Sequence, residues 1–433
     1  MQNDLFSLHL GLKILNVMKK DQQHTNVPHL RFPEFSGEWR KERLFDIAEL
    51  YKGVGISKDQ LSDDGKPCIL YGELYTKYKS EIINEIISKT NIDTTKLVRS
   101  KANDVIIPCS GETAEDIATA RCVLNDNIFL GGDLNIVRLY RYDGAFISYQ
   151  LNGKRKYDIA KVAQGVSVVH LYGEHLKNVQ TFNPGIEEQK KISRLLSILD
   201  ERIATQNKII EDLKKLRSAI IDKLFCLPNK LVPQMRLHGF TGNWIQVRLS
   251  DVCQRIRTKN FNTQCQLVLT IAAQYGLVSQ KDFFKKSIAS DNLEGYYLIE
   301  KDDFAYNKSY STDYPWGAVK RLELYSQGVL SPLYICFRPN TDIIVPDYLS
   351  HYFESTKWHK GIADIAGEGA RNHGLLNLSV VDYFNTTHRI PSMPEQKVIA
   401  DVLNKLTFKY DLEQKLHENL LKQRRYLLQQ MLI

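Results

Sequence analysis

Two stretches of this chain are copies of one another, and that duplication constrains the fold more than any other feature. Residues 27–48 (VPHLRFPEFSGEWRKERLFDIA) and 232–253 (VPQMRLHGFTGNWIQVRLSDVC) align without a gap at an offset of 205. Nine of the 22 positions are identical: Val27/Val232, Pro28/Pro233, Arg31/Arg236, Phe35/Phe240, Gly37/Gly242, Trp39/Trp244, Arg43/Arg248, Leu44/Leu249 and Asp46/Asp251. Typical residue frequencies give about one match by chance. A repeat at this period means an architecture built from copies of one unit.

A second pair recurs at an offset of 207. Pro184, Glu188-Gln189-Lys190, Ile192, Leu196, Leu199, Leu213, Lys215 and Arg217 return as Pro391, Glu395-Gln396-Lys397, Ile399, Leu403, Leu406, Leu420, Lys422 and Arg424. Both copies open helices. Ser392 and Glu395 fit a capping box with Pro394 in the first turn, and Gly185 takes the capping position of the first copy. Apolar residues then alternate by four and three: Ile192, Leu196, Leu199, Ile203, then one position later Ile209, Leu213, Leu216, Ile220, Leu224. The second helix shows Ile399, Leu403, Leu406, Tyr410, then Leu416, Leu420, Leu427, Met431. A narrow apolar seam with charged flanks predicts a coiled coil. About 40 residues at 1.5 Å each give ~60 Å, longer than a small domain is wide. Pro228 stops the first helix, and the second runs to Ile433.

The expected plan is therefore α+β, with two homologous heads on two long helices. Its segments are an N-terminal extension (1–26), a first head (27–183), a central helix (184–231), a second head (232–390) and a C-terminal helix (391–433). Antiparallel pairing of the helices would place the heads at opposite ends, related by a pseudo-two-fold axis. The extension contains Met18, a candidate native start; it lacks the basic cluster and small-residue cleavage site of a signal peptide.

Composition excludes several classes. With 43% hydrophobic and 25% charged residues the chain can bury a core, which rules out disorder, a collagen-like fibre and a disulfide miniprotein. Seven scattered cysteines without a C-x-x-C pair suit neither a disulfide framework nor a zinc site, and point to a reducing, cytoplasmic setting. No run of 18 apolar residues is present. The net charge of +8 admits an anionic partner, but it is spread unevenly. The first head carries none of it and the second +2, against +3 and +2 on the helices and +1 on the extension.

Inside the heads, residues 104–107, 135–140, 267–271 and 333–337 read as strands and 348–357 as a helix. Leu130/Leu330 and Arg138/Arg338 rhyme between halves, each arginine ending a strand. Glycine-rich loops bearing Lys, Arg, Asn, Ser and Tyr suit close approach to phosphates and base edges. They are 71–77, 110–113 and 153–157 in the first head, 307–317 and 367–374 in the second.

Three catalytic patterns fail. There is no G-x-x-x-x-G-K-[ST] phosphate loop. Asp313-Tyr314-Pro315-Trp316 approximates an amino-methyltransferase motif, but with Tyr314 in place of the first proline. Pro346-Asp347 with Glu354 and Lys357 approximates a nuclease pattern, with one residue too many before Lys357.

The duplicated opening stretches (Leu30 to Trp39, Met235 to Trp244) and the Glu188-Gln189 and Glu395-Gln396 helices resemble the specificity subunit of type I restriction-modification enzymes. So do residues 305–309, 314–318, 328–334 and 366–374. The resemblance covers nearly everything from Val27 to Ile433. It implies two target-recognition domains, each reading half of a split site in double-stranded DNA, with the paired helices fixing the gap. It also implies a chain that catalyses nothing and holds no cofactor or metal. Two modification subunits would bring S-adenosylmethionine and adenine methylation, and two restriction subunits ATP, Mg and cleavage. Candidate DNA contacts are Lys77, Ser110, Lys154 and Arg155 in the first domain, and Lys308, Tyr310, Trp316, Arg371, Asn372 and His373 in the second. Two other readings stand beside this one: a stand-alone DNA adenine methyltransferase built around Asp313 to Trp316, and a coiled-coil scaffold.

Overall fold

The computed structural model describes residues 26–93, 95–165, 168–272, 275–284, 292–367 and 374–433. The extension with Met18 lies outside the described residues, as do Arg371, Asn372 and His373. The chain forms two compact units, one of residues up to Asn207 with Lys415–Ile433, the other Lys208–Gln414. Both long helices, Ile186–Leu224 and Met393–Met431, pass from one unit to the other.

The first unit is built on a five-stranded sheet. Its order is Ala48–Lys52, Leu134–Leu139, Asp104–Pro108, Arg121–Val123, Ile82–Ile83. All neighbours are antiparallel except the last pair. The central strand Asp104–Pro108 is buried along its whole length, as its Val-Ile-Ile run requires of a strand covered on both faces. A second five-stranded sheet of short strands lies in the same unit. Asp143 caps the helix Gly144–Asn152 by accepting from the Phe146 N–H at 2.7 Å. That helix packs Phe146 edge-on against the buried Trp39, ring centroids 5.6 Å apart.

The second unit has a four-stranded sheet, ordered Cys253–Arg255, Ile335–Pro339, Phe304–Asn307, Ala318–Arg321. Its helix Pro346–Glu354 starts on proline, whose fixed φ suits that position. The helix ends sooner than the sequence suggests: the Ser355 hydroxyl donates to the Tyr352 carbonyl and accepts the Lys357 N–H, turning the chain. Trp244 is buried against Tyr348, as Trp39 is against Phe146.

Within each unit the long helices run antiparallel. In the first, the Leu30 N–H donates to the Gln430 carbonyl near the end of one helix, while neighbouring Arg31 holds Glu188 near the start of the other. Further along, Arg424 meets Asp200. The second unit repeats this with Met235 on Lys223, Arg236 on Glu395 and Arg217 on Thr407.

The seam differs from the expected one in its middle. Ile209, Leu216 and Leu416 are 39%, 49% and 38% exposed. The alternation continues without the one-residue shift, so Gln206, Ile210 and Arg217 on one helix, and Glu413 and His417 on the other, face inward instead, while Leu213 and Leu420 face inward as expected. Apolar packing is thus concentrated beside the heads, at Ile192, Leu196 and Leu199 with Leu420, Leu427 and Met431 in the first unit. Ile221 and Leu224 with Ile399 and Leu403 do the same in the second. The expected capping box at Glu395 does not form, because both its carboxylate oxygens accept from Arg236, at 2.9 and 2.7 Å.

Candidate nucleic-acid interface

In the second unit, strands Phe304–Asn307 and Ala318–Arg321 form a hairpin whose tip spans 308–317. Gly317 closes it at φ +76°; a Cβ there would lie 2.2 Å from the Asn307 carbonyl oxygen, so glycine is required. The tip is braced from below. The Tyr306 hydroxyl donates to the Trp316 carbonyl at 2.9 Å, and the Tyr306 ring stacks on Tyr383 at 4.7 Å. Burial pushes the phenols of Tyr306 and Tyr383 up, keeping both neutral.

A second segment joins the hairpin. The Tyr310 N–H donates to the Gly374 carbonyl, and the Leu376 N–H to the Lys308 carbonyl. The Gly367 N–H donates to Asn377. Lys308, Tyr310 and Trp316 therefore share one edge with Gly374 and Leu376; Arg371, Asn372 and His373 lie outside the described residues. Tyr310 and Trp316 also pack on the core below. The motif Asp313 to Trp316 is the tip of this hairpin.

The first unit does not gather its candidates in this way. The Lys77 ammonium donates to Glu73 and to the Ser88 hydroxyl, both at 2.7 Å. Ser110 is buried and its hydroxyl donates to Asp133 at 3.1 Å. Arg155 lies over the Phe182 ring at 5.2 Å and pairs with Asp158. Lys154 is exposed beside it. Three of the four thus hold local structure.

The residues of the nuclease-like pattern fasten head to helix instead. Asp347 accepts from Arg321 at 2.5 Å and from Asn404 of the C-terminal helix at 2.8 Å. Against the opposing effect of burial, these bonds hold its carboxyl below the usual range. Glu354 pairs with Arg217, and Lys357 with Asp222 at 2.6 Å, both on the central helix. The first unit has a matching fastening: Arg424 binds Glu81 and Asp200, each at 2.5 Å, and Tyr149 donates to Asp200 at 2.7 Å. Burial raises the Asp200 carboxyl despite Arg424. Sequence spacing identified Arg217 and Arg424 as equivalents without revealing what they hold.

The two modules correspond bond for bond. Arg31 donates to Glu188, Ser36 and Gly37; Arg236 donates to Glu395, Thr241 and Gly242. Gln189 accepts from the Asp143 N–H and donates to Pro184; Gln396 accepts from the Val345 N–H and donates to Pro391. The rhyming arginines do the same thing in each unit. Arg138 grips the buried Asp104 at 2.9 and 2.7 Å, and Arg338 grips the buried Asp303 at 2.6 and 2.8 Å.

Residues 36–215 match the model of the type I restriction modification DNA specificity domain. Over that segment the chain is similar to this family. The domain's architecture then recurs in the second unit through the shared bonds. Among curated proteins, the chain is 25% identical over 242 residues to the type I restriction enzyme MjaVIII specificity subunit of Methanocaldococcus jannaschii, covering 54% of this chain and 52% of that protein. It is 24% identical over 221 residues to a putative type I specificity subunit of Mycoplasma pneumoniae, covering 50% and 53%. The matches thus span about half the length of these relatives. A crystal structure of a type I restriction-modification S subunit from M. genitalium superposes with a TM-score of 0.59 at 18% identity, covering 94% of this chain and 99% of that one. A structure from work on assembly and conformational transition of the type I system gives 0.51 at 15%, covering 90% and 96%. These likenesses establish the fold, α+β units with two long helices.

Among the described residues, no group of His, Cys, Asp or Glu could hold a metal ion, and no helix is long and apolar enough to cross a membrane.

Proposed function

We propose that this chain is the DNA sequence-specificity subunit of a type I restriction-modification complex. Each domain reads one half of a bipartite target, and the long helices set the spacing between halves. The observation that carries this reading is the family match over 36–215, repeated in the second unit by the same arginine, glutamate and glutamine bonds. Helices of 39 residues, ~58 Å long at 1.5 Å per residue, suit half-sites one turn of DNA, ~34–36 Å, apart.

In the second domain the hairpin tip with Lys308, Tyr310 and Trp316 meets the DNA, as do Arg371, Asn372 and His373. Arginine and lysine read guanine, asparagine reads adenine, and the others touch phosphates. In the first domain Lys154 is the free candidate, while Lys77, Ser110 and Arg155 support the surface that reads. The chain itself is non-catalytic. Modification subunits bring S-adenosylmethionine, and restriction subunits bring ATP and Mg; the complex works in the cytoplasm.

Long-read mapping of methylated adenines in cells with and without the gene should show one bipartite motif that disappears with it. Deleting Leu213–Leu216 together with their repeat counterparts Leu420–Gln423 should shorten the gap and leave both half-sites unchanged. Altered half-sites with an unaltered gap would sink the ruler.

A further inference from the structure

A cleft of about 680 Å³ opens in the second unit along the strand Cys253–Arg255. That strand is the edge of its sheet, bonded only to Ile335–Pro339. The short helix Val380–Asn385 supplies the opposite wall.

Three arginines line the cleft against one carboxylate, Asp251, whose Oδ2 accepts the Arg248 N–H at 2.7 Å. Of its three arginines, Arg338 is answered by Asp303 and Glu300. Arg255 and Arg257 pair with no carboxylate among the described residues. Asn340, Asn385 and Ser250 add neutral donors at the rim.

The first unit carries different residues at the equivalent positions. Phe45 stands where the second unit has Ser250, and its ring lies 5.7 Å from both the Arg43 and the Lys177 cation. Leu50 stands in place of Arg255. The charge count agrees, since the first head is neutral and the second carries +2.

We propose that this cleft seats phosphodiester groups of the DNA backbone, a contact made by the second domain alone. It rests on the reading of the chain as a DNA-specificity subunit. Planar guanidinium groups match phosphate oxygens two bonds at a time, and amide and hydroxyl donors satisfy the remaining oxygens. An acidic protein segment would find the same charge. However, the apolar wall is shallow, with Val381 68% exposed, and offers no enclosed slot for a peptide side chain. Such contacts fix register on the duplex and carry no sequence information.

The test titrates the full chain with duplex DNA over a series of salt concentrations, comparing wild type with the double variant Arg255→Gln/Arg257→Gln. Each neutralised phosphate contributes ~0.9 to the slope of log affinity against log salt. The double variant should therefore lose about 2 from the slope, equally for every duplex sequence. Ser250→Phe keeps both arginines and places an aromatic side chain on the cleft wall, and should weaken duplex binding severalfold at unchanged thermal stability. An unchanged slope in the double variant overturns the proposal. Inorganic phosphate or a polyglutamate peptide that binds wild type and not the double variant, with the duplex slope unmoved, gives the cleft to a small anion or an acidic protein and overturns it equally. A wild-type chain with no salt-dependent duplex binding defeats the functional reading itself, an outcome distinct from equal slopes in two DNA-binding proteins.

Discussion

Arg31 grips Glu188 with two bonds of 2.8 Å, and Arg236 grips Glu395 with bonds of 2.9 and 2.7 Å; behind these twins the two units diverge. In the second, Trp244 adds a third donor to the carboxylate, whereas the Trp39 indole N–H is buried without a partner. His388 lies buried in the second unit where the first has Thr181. A cleft opens beside Arg255 in the second unit, where the first has Leu50 at that position and an exposed Phe45 in place of Ser250. The arginine–glutamate and glutamine bonds that join each head to its helix are the same in both units, while buried positions behind them, such as Thr181 and His388, and exposed ones, such as Phe45 and Ser250, differ.

The largest effect tests the shared clamp. Each glutamate is almost wholly buried, and removing one member of a buried, hydrogen-bonded ion pair costs about 3–5 kcal/mol. Glu188→Ala and Glu395→Ala should each lower hydrogen-exchange protection in their own unit by that amount and spare the other. Equal loss in both units from either variant would show that the units unfold as one.

His388 should separate the units by pH. Its Nδ1 faces the Tyr352 hydroxyl at 2.8 Å and its Nε2 faces Thr386 at 2.9 Å. Thr386 donates to the Tyr383 carbonyl, so Nε2–H donates to Thr386 and Tyr352 donates to Nδ1. This neutral arrangement has no place for a second proton, and burial brings the imidazole down to about 4. The unfolded chain takes up its proton near pH 6.5, so between these values the unfolded state binds more protons and stability rises with pH. As pH falls from about 6.5 toward 4, the second unit should lose about 3 kcal/mol at 1.36 kcal/mol per pH unit. His388→Thr should remove that slope, read as protection against pH, and the first unit should not show it.

Gly317→Ala should cost about 2 kcal/mol by forcing a side chain into a left-handed turn against a carbonyl. In methylation mapping it should weaken recognition of one half-site only. Loss of both would mean that the hairpin tip is not a private reader of the second domain. The smallest effect belongs to Phe45→Ser, which removes two exposed cation–π contacts worth about 0.5–1 kcal/mol each. It should lower the melting temperature of the first unit slightly.

Much of this was legible because repeated residues with bonding side chains leave a signal that needs no geometry. Arg31/Arg236, Glu188/Glu395 and Gln189/Gln396 were paired by spacing before any contact was known. The strands at 104–107 and 135–140 were visible because their β-branched and aromatic residues favour extended backbone. The site was less legible. Lys77, Ser110 and Arg155 have the side chains of a DNA-binding loop, but Glu73, Asp133 and Phe182 engage them, and no sequence distance reveals such partners. Asp347, Glu354 and Lys357 looked like a damaged nuclease motif, yet their spacing serves contacts to Arg321, Asn404, Arg217 and Asp222. The middle of the helix seam was misread because Ile209 and Leu216 are apolar, and hydrophobicity was followed where periodicity should have been.

By itself the sequence determined the number of modules, the two long helices and the type of fold, since all three follow from a repeat and a period. Tertiary structure alone decided which arginines are spent and which remain free. Arg338 and Arg255 are both arginines lining one cleft, and only the nearness of Asp303 and Glu300 neutralises the first. Charge acts over a few ångströms through space, and residues that neutralise one another can stand 35 positions apart in the chain.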